Sequence, residues 1–94
     1  MYQATALTTG NYAVAVAPLE QRLRNVSRDE TAMLNLAMAY RHLGRGREAQ
    51  ALYERVLAQG NAWLGSADGR ELWSHDAARQ GLVLLRTGTQ TATR

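Results

Sequence analysis

Ser74, His75 and Asp76 stand side by side and supply the three residue types of a hydrolytic triad. A triad works by convergence in space, and adjacent positions on one stretch of backbone cannot align hydroxyl, imidazole and carboxylate. The same residues read as the opening of a helix, with Ser74 as N-cap and Asp76 in the first turn, where a carboxylate is favourable. His42 falls near the end of another helical stretch, where a protonated imidazole is favourable. The two histidines lie far apart and lack the i, i+4 spacing that sets two zinc ligands on one helical face. The chain has no cysteine, which excludes a disulfide and a thiolate metal site. Gly44-Arg45-Gly46 sits between two helical patterns with no strand before it, so it reads as a turn and not as a phosphate cradle. Glu48 and Glu54, beside Arg47 and Arg55, read as solvated surface charges. No convergent polar set emerges, and the chain is read as non-catalytic, with no cofactor and no metal.

Behind these residues stands a chain of 94 residues, enough for one small domain with a thin core. All 11 basic side chains are arginine, a bias that fits codon usage in a GC-rich bacterial genome better than a functional demand. The net charge of +3 raises nucleic acid as a partner, but the arginines are scattered among 8 acidic residues with no block of one sign. A basic nucleic-acid binder therefore stays behind other readings. The longest apolar stretch, "AVAVAPL" at 13–19, is far short of a membrane span and has no basic flank before it, so it is not read as a signal peptide. A soluble protein is expected, in the cytoplasm or periplasm of a bacterium, with the compartment left open.

The helical elements that must position any site begin at Ser27. Ser27 and Glu30 form S-x-x-E, a capping box. Met33, Leu36, Ala37, Tyr40 and Leu43 follow at helical spacing on one face, and Gly44 stands where a left-handed C-cap wants glycine. A second helix starts near Arg45, with Ala49, Leu52, Tyr53, Val56 and Leu57 as its apolar stripe, and stops at Gly60. Gly44 and Gly46 are read as the tight reversal between the two.

The pattern also recurs upstream. Gly10 lies 34 residues before Gly44, Ala15 before Ala49, Leu19 before Tyr53 and Leu23 before Leu57 at the same interval, so "GNYAVAVAPLEQRL" reads as a second copy of the turn and following helix. Pro18 inside it removes one backbone bond and predicts a kink. A helix-turn-helix unit with this period resembles the tetratricopeptide repeat. The match rests on Leu36, Ala37 and Tyr40 in the first helix and on Gly44, Ala49, Tyr53 and Val56 through the turn and second helix. Met33 replaces the family's usual tryptophan, Asn61 its usual proline and Gly46 its usual aromatic, which Tyr12 keeps upstream. The resemblance implies an all-α fold of antiparallel helical hairpins stacked as a right-handed solenoid.

One domain over 1–86 is expected: a partial repeat at 1–26, a full repeat at 27–60, an insert at 61–73 and a capping helix at 74–86, followed by a disordered tail at 87–94. The insert carries Asp68-Gly69, a tight-turn signal flanked by apolar residues, and predicts a short β-hairpin with Trp63 and Leu64 opposite Leu72 and Trp73. Ala77, Ala78, Gly81, Leu82 and Leu85 give the capping helix its apolar face. The chain begins mid-pattern, which would suit a fragment of a longer protein.

A second face of the helix over 28–43 is left unclaimed by the hairpin core. By the resemblance, Thr31, Leu34, Met38, Arg41 and His42 line a concave groove that binds peptides, with Leu7 and Ala4 upstream. The plain alternative packs Leu34 and Met38 against a neighbouring helix. Leu34 and Met38 occupy positions where some members clamp a carboxylate, and Asn35 alone remains of that set, so apolar anchors with Arg41 at the rim are expected. The implied function is a protein–protein interaction module, a scaffold or adaptor for a peptide or protein partner. The close alternative is self-association as a homodimer, since a cut-short first repeat would expose Leu7, Val14 and Val16.

Overall fold

The computed structural model of the protein describes residues 11–67 and 69–92, with backbone alone at 67 and 88–92. The elements run α1 (Tyr12–Asn25), α2 (Glu30–His42), α3 (Gly46–Ala58), β1 (Trp63–Ala67), β2 (Arg70–Trp73) and α4 (Ser74–Ala92). The chain is mostly helical, with one small two-stranded sheet where the insert is read. Residues 1–10, with Ala4, Leu7 and Gly10, lie outside the described residues.

Asp29, not Ser27, opens α2. Its Oδ1 accepts the Ala32 N–H at 3.0 Å and its Oδ2 accepts from Arg22 Nε of α1 at 2.7 Å. Burial pushes the Asp29 carboxyl up, but the Ala32 N–H and the Arg22 guanidinium outweigh it and hold the group below its ordinary value. The capping box expected at Ser27 and Glu30 gives way to this arrangement. Asp29 can satisfy a free helix N–H and hold α1 at once, while Ser27 is exposed and its carbonyl accepts from Arg55.

The other end of α2 follows the glycine signal. Gly44 takes φ +80°, the Arg45 N–H donates to Tyr40 O at 2.8 Å and the Gly44 N–H to Arg41 O at 3.2 Å. These two bonds are a Schellman motif and satisfy carbonyls the helix leaves open. Gly46 takes no part in that turn and is the first residue of α3. Leu43, expected on the core face, becomes the C-cap and is exposed, because the reversal swings it off the helix. Helix α3 ends at Ala58 with Gln59 already extended, one residue before the expected stop at Gly60. Pro18 lies within α1, which runs on past it to Asn25.

The core gathers around α2. This helix packs on α1, on α3 and on α4, and α3 packs in turn on α4. Met33, Leu36, Ala37 and Tyr40 are buried as the spacing predicts, and Ala32 and Ala39 are buried as well. Ala15 and Leu19 from α1, Ala49, Leu52, Tyr53 and Val56 from α3, and Ala78 from α4 complete the cluster. Fully burying one leucine- or valine-sized side chain stabilises by about 1.5–3 kcal/mol, so this short roster is most of what opposes chain entropy. At one end of the hairpin, the Tyr40 hydroxyl donates to Glu20 of α1, Arg45 lies 4.4 Å over the Tyr40 ring, and Arg45 pairs with Glu48. Burial and the Glu20 carboxylate push the Tyr40 phenol up to about 12.

The insert forms the expected antiparallel hairpin, with Trp63 opposite Trp73 and a two-residue loop holding Gly69 at φ +77°. The register differs by one: a bulge between Trp63 and Gly65 leaves Leu64 without a partner and sets Gly65 opposite Leu72. The sheet contacts α4, which begins at Ser74 as read. The backbone stays helical through Ala92, past residue 86 where the sequence reading ends the capping helix. No helix among the described residues is long and apolar enough to cross a membrane. Gly81 faces the Tyr53 ring: an added Cβ there would stand 2.2 Å from Tyr53 Cζ. The buried Tyr53 ring cannot withdraw without opening the core, so only glycine lets α4 lie this close to α3.

Two stability predictions follow from these contacts. Asp29→Ala should cost about 1 kcal/mol in chemical denaturation, while Ser27→Ala stays within about 0.5 kcal/mol; equal losses would return the cap to Ser27. Gly81→Ala, which normally favours a helix, should instead destabilise by about 1–3 kcal/mol. A neutral or stabilising Gly81→Ala would show that α4 does not sit against Tyr53.

Candidate functional site

At the start of α4 the chemistry-bearing residues face three different ways. The Ser74 hydroxyl is buried and accepts the Ala62 N–H at 2.8 Å, while the Ser74 N–H donates to Ala62 O at 2.8 Å. The His75 Nε2–H donates to Gln59 O at 2.6 Å, and the His75 N–H donates to Asn61 Oδ1 at 3.0 Å. Asp76 lies on the surface, 3.4 Å from Arg79. Ser74 therefore does not cap its own helix. Its hydroxyl ties down the loop after α3, and Asn61 accepts the His75 N–H, one of the free N–H groups at the helix start. No hydrogen bond links Ser74, His75 and Asp76 into a relay. Among the described residues no three His, Asp or Glu side chains gather closely enough to hold a metal ion.

The surface charges on α3 find partners other than their neighbours in the chain. Glu48 binds Arg45 through two hydrogen bonds of 2.8 and 2.6 Å, which lower its carboxyl and raise the guanidinium. Glu54 accepts from Gln50, and Arg55 reaches the Ser27 carbonyl 28 positions away. Both glutamates are solvent-facing, where such pairs contribute little to stability.

What remains open is one stripe of α2. At 100° per residue, Thr31, Leu34, Asn35, Met38, Arg41 and His42 share the side opposite the buried Met33, Leu36 and Tyr40. Thr31 is exposed and Met38 half-buried. Leu34 is half-buried and packs against the core cluster, so part of it belongs to the neighbouring-helix reading. Met38 is the more available apolar side chain, and an unbranched thioether suits an adaptable contact.

Arg41 and His42 close this stripe at the C-terminal end of α2. Arg41 is half-buried, not a rim residue. Its Nε is covered and has no hydrogen-bond partner among the described residues. A buried donor left in that state costs about 1–3 kcal/mol. His42 is exposed as a residue, yet one ring face is covered by Tyr12 of α1, with centroids 4.2 Å apart and planes 3° from parallel. Burial, and then the adjacent Arg41 charge, pull the His42 imidazole below its ordinary value. The protonated form expected from the helix C-terminus is thus disfavoured, because desolvation and a neighbouring cation act on the ring more strongly than the helix end does. Tyr12 was legible only as the aromatic of the upstream turn. Nothing in its spacing signals a partner 30 positions later.

Large apolar side chains also stand open elsewhere. Trp63 keeps 56% of its surface exposed, with its indole N–H donated to Glu71, and Val14 keeps 54%. The chain matches no known protein family, no curated protein and no solved structure.

The stacked pair sets a testable titration. His42 should titrate below 6.5 in proton NMR of the imidazole, and Tyr12→Ala should raise its midpoint. A folded-state pKa lowered in this way contributes stability that is present above the unfolded value and lost as pH falls through the folded one. The wild type should therefore lose more stability than Tyr12→Ala between pH 6.5 and the folded midpoint. A His42 midpoint unmoved by Tyr12→Ala would dismiss the stack.

Proposed function

We propose that this chain is a tetratricopeptide-like interaction module, a scaffold or adaptor without catalysis, which holds a peptide or partner helix on the open stripe of α2. One observation carries the reading: α1 packs on α2, α2 on α3 and α4, and α3 on α4, the nearest-neighbour order of stacked helical hairpins. Ala15, Ala37 and Ala49, the small residues through which such helices approach, are all fully buried. Stacking of this kind buries α2 around most of its circumference and leaves a single stripe for a partner. The stripe lies on a packed helix, which is a rigid support for a binding face. Proteins with such stripes take either a helix laid in the groove or an extended segment.

Self-association is the second reading. The exposure of Val14, at 54%, on α1 favours it, while Val16, expected on the same open face, packs against the core cluster. That surface belongs to the end of the stack away from α4, where another copy could cover it.

The two readings separate on different variants. Leu34→Glu with Met38→Glu should abolish capture of a partner from cell lysate, Met38→Glu alone, which spares the Leu34 packing, should weaken it with circular dichroism unchanged, and Val14→Glu should leave capture intact. Light scattering at rising concentration should show a monomer under the module reading. A dimer dispersed by Val14→Glu and untouched by the α2 pair would turn the assignment to self-association.

A further inference from the structure

The open stripe of α2 contains a cation with no anion of its own among the described residues. Thr31, Leu34, Asn35, Met38 and His42 bring no carboxylate to Arg41. The one acidic residue in α2 is Glu30, eleven positions earlier and about 16 Å away along the helix axis. The other acids among the described residues are committed. Glu20, Asp29, Glu48, Glu54, Glu71 and Asp76 each accept a hydrogen bond from another side chain, none of them from Arg41. The guanidinium is also short of acceptors at Nε among the described residues. Beside it, His42 stacks on Tyr12, and burial and Arg41 itself shift it toward the neutral form. Next along the stripe comes Met38, half-buried and apolar.

We propose that the partner segment is acidic at one point: it sets an aspartate or glutamate side chain on Arg41 and an apolar side chain on Met38 and Leu34. This rests on the reading of the α2 stripe as the binding face and specifies what that face selects. A carboxylate is the acceptor that suits a guanidinium best, since its two oxygens match the fork of N–H donors. To accept from Nε as well, it must draw the side chain outward by rotation about its own torsions, which exchanges an unpaired buried donor for a paired one. Charge and apolar contact then select together, because an apolar segment lacking the acid leaves Arg41 as it is.

The test is selection of short random peptides displayed by fusion at their C termini, so that no terminal carboxylate is offered, on the immobilised full chain. Wild type should enrich peptides carrying Asp or Glu beside an apolar residue. Arg41→Gln should keep the apolar preference and lose the acidic one. Arg47→Gln, an equal change of charge at an exposed position on α3, should keep both. An enriched peptide should bind Arg41→Gln about tenfold or more weakly than wild type. Circular dichroism of each variant guards against unfolding. Acidic enrichment that persists in Arg41→Gln would overturn the proposal, because the net charge of +3 would then account for it. So would neutral apolar peptides selected by wild type; if Leu34→Glu with Met38→Glu abolishes their binding, the face survives and only its acidic preference falls. Enrichment of no peptide at all would sink both.

Discussion

The molecule depends on one helix burying most of its circumference inside a small chain. Helix α2 touches three others, and it can do so only because its buried sides are built partly from alanine. Ala32, Ala37 and Ala39 are fully buried, and Ala49 of α3 and Ala78 of α4 meet the same cluster. Small side chains let helix backbones approach, and the larger Met33, Leu36, Tyr53 and Val56 fill what is left. Gly81 against Tyr53 is the extreme case of the same constraint. With so few large residues in the core, each close contact is a large fraction of a total stability of only several kcal/mol.

Polar residues are spent at the junctions between elements. Asp29 joins the start of α2 to α1, Tyr40 and Arg45 join the α2–α3 turn to α1, and Ser74, His75 and Asn61 lock the loop between α3 and the hairpin to the start of α4. The residues that look most like chemistry in the chain, the adjacent serine, histidine and aspartate, are among these fasteners. A two-stranded hairpin is marginal by itself, and the bonds between Ser74 and Ala62 tie its base to α4. Apart from these fasteners, the described residues include an open helical stripe with the buried, unpaired Nε of Arg41 and a few exposed apolar side chains. A helix that is clamped on three sides presents such a stripe without needing to move, which is what a binding face requires.

Much of the architecture was legible in the residues. Helical spacing picked out Met33, Leu36, Ala37 and Tyr40, glycine marked the C-cap at 44, and Asp68-Gly69 marked the hairpin. These signals act over a few positions, where backbone preference and side-chain period are enough to decide. The legible part of the candidate site was the membership of the α2 stripe, since that follows from 3.6 residues per turn once the core face is known. The misreadings were of another kind. Ser27 and Asp29 are both good caps two residues apart, and the choice between them was made by Arg22 on another helix. Leu64 slipped out of the strand register through a bulge.

The sequence alone determined the order of the described helices, the reversal at Gly44 and most of each apolar side, because those properties are written within a turn or two of the chain. The tertiary structure decided everything that needs two distant segments to meet. It set Tyr12 against His42 and disfavoured the charged imidazole there, it turned the Ser74 hydroxyl to Ala62, and it drew Arg41 inward with its Nε unpaired. The reason is that burial and charge are properties of an environment assembled by packing, and a residue does not carry its environment with it along the chain.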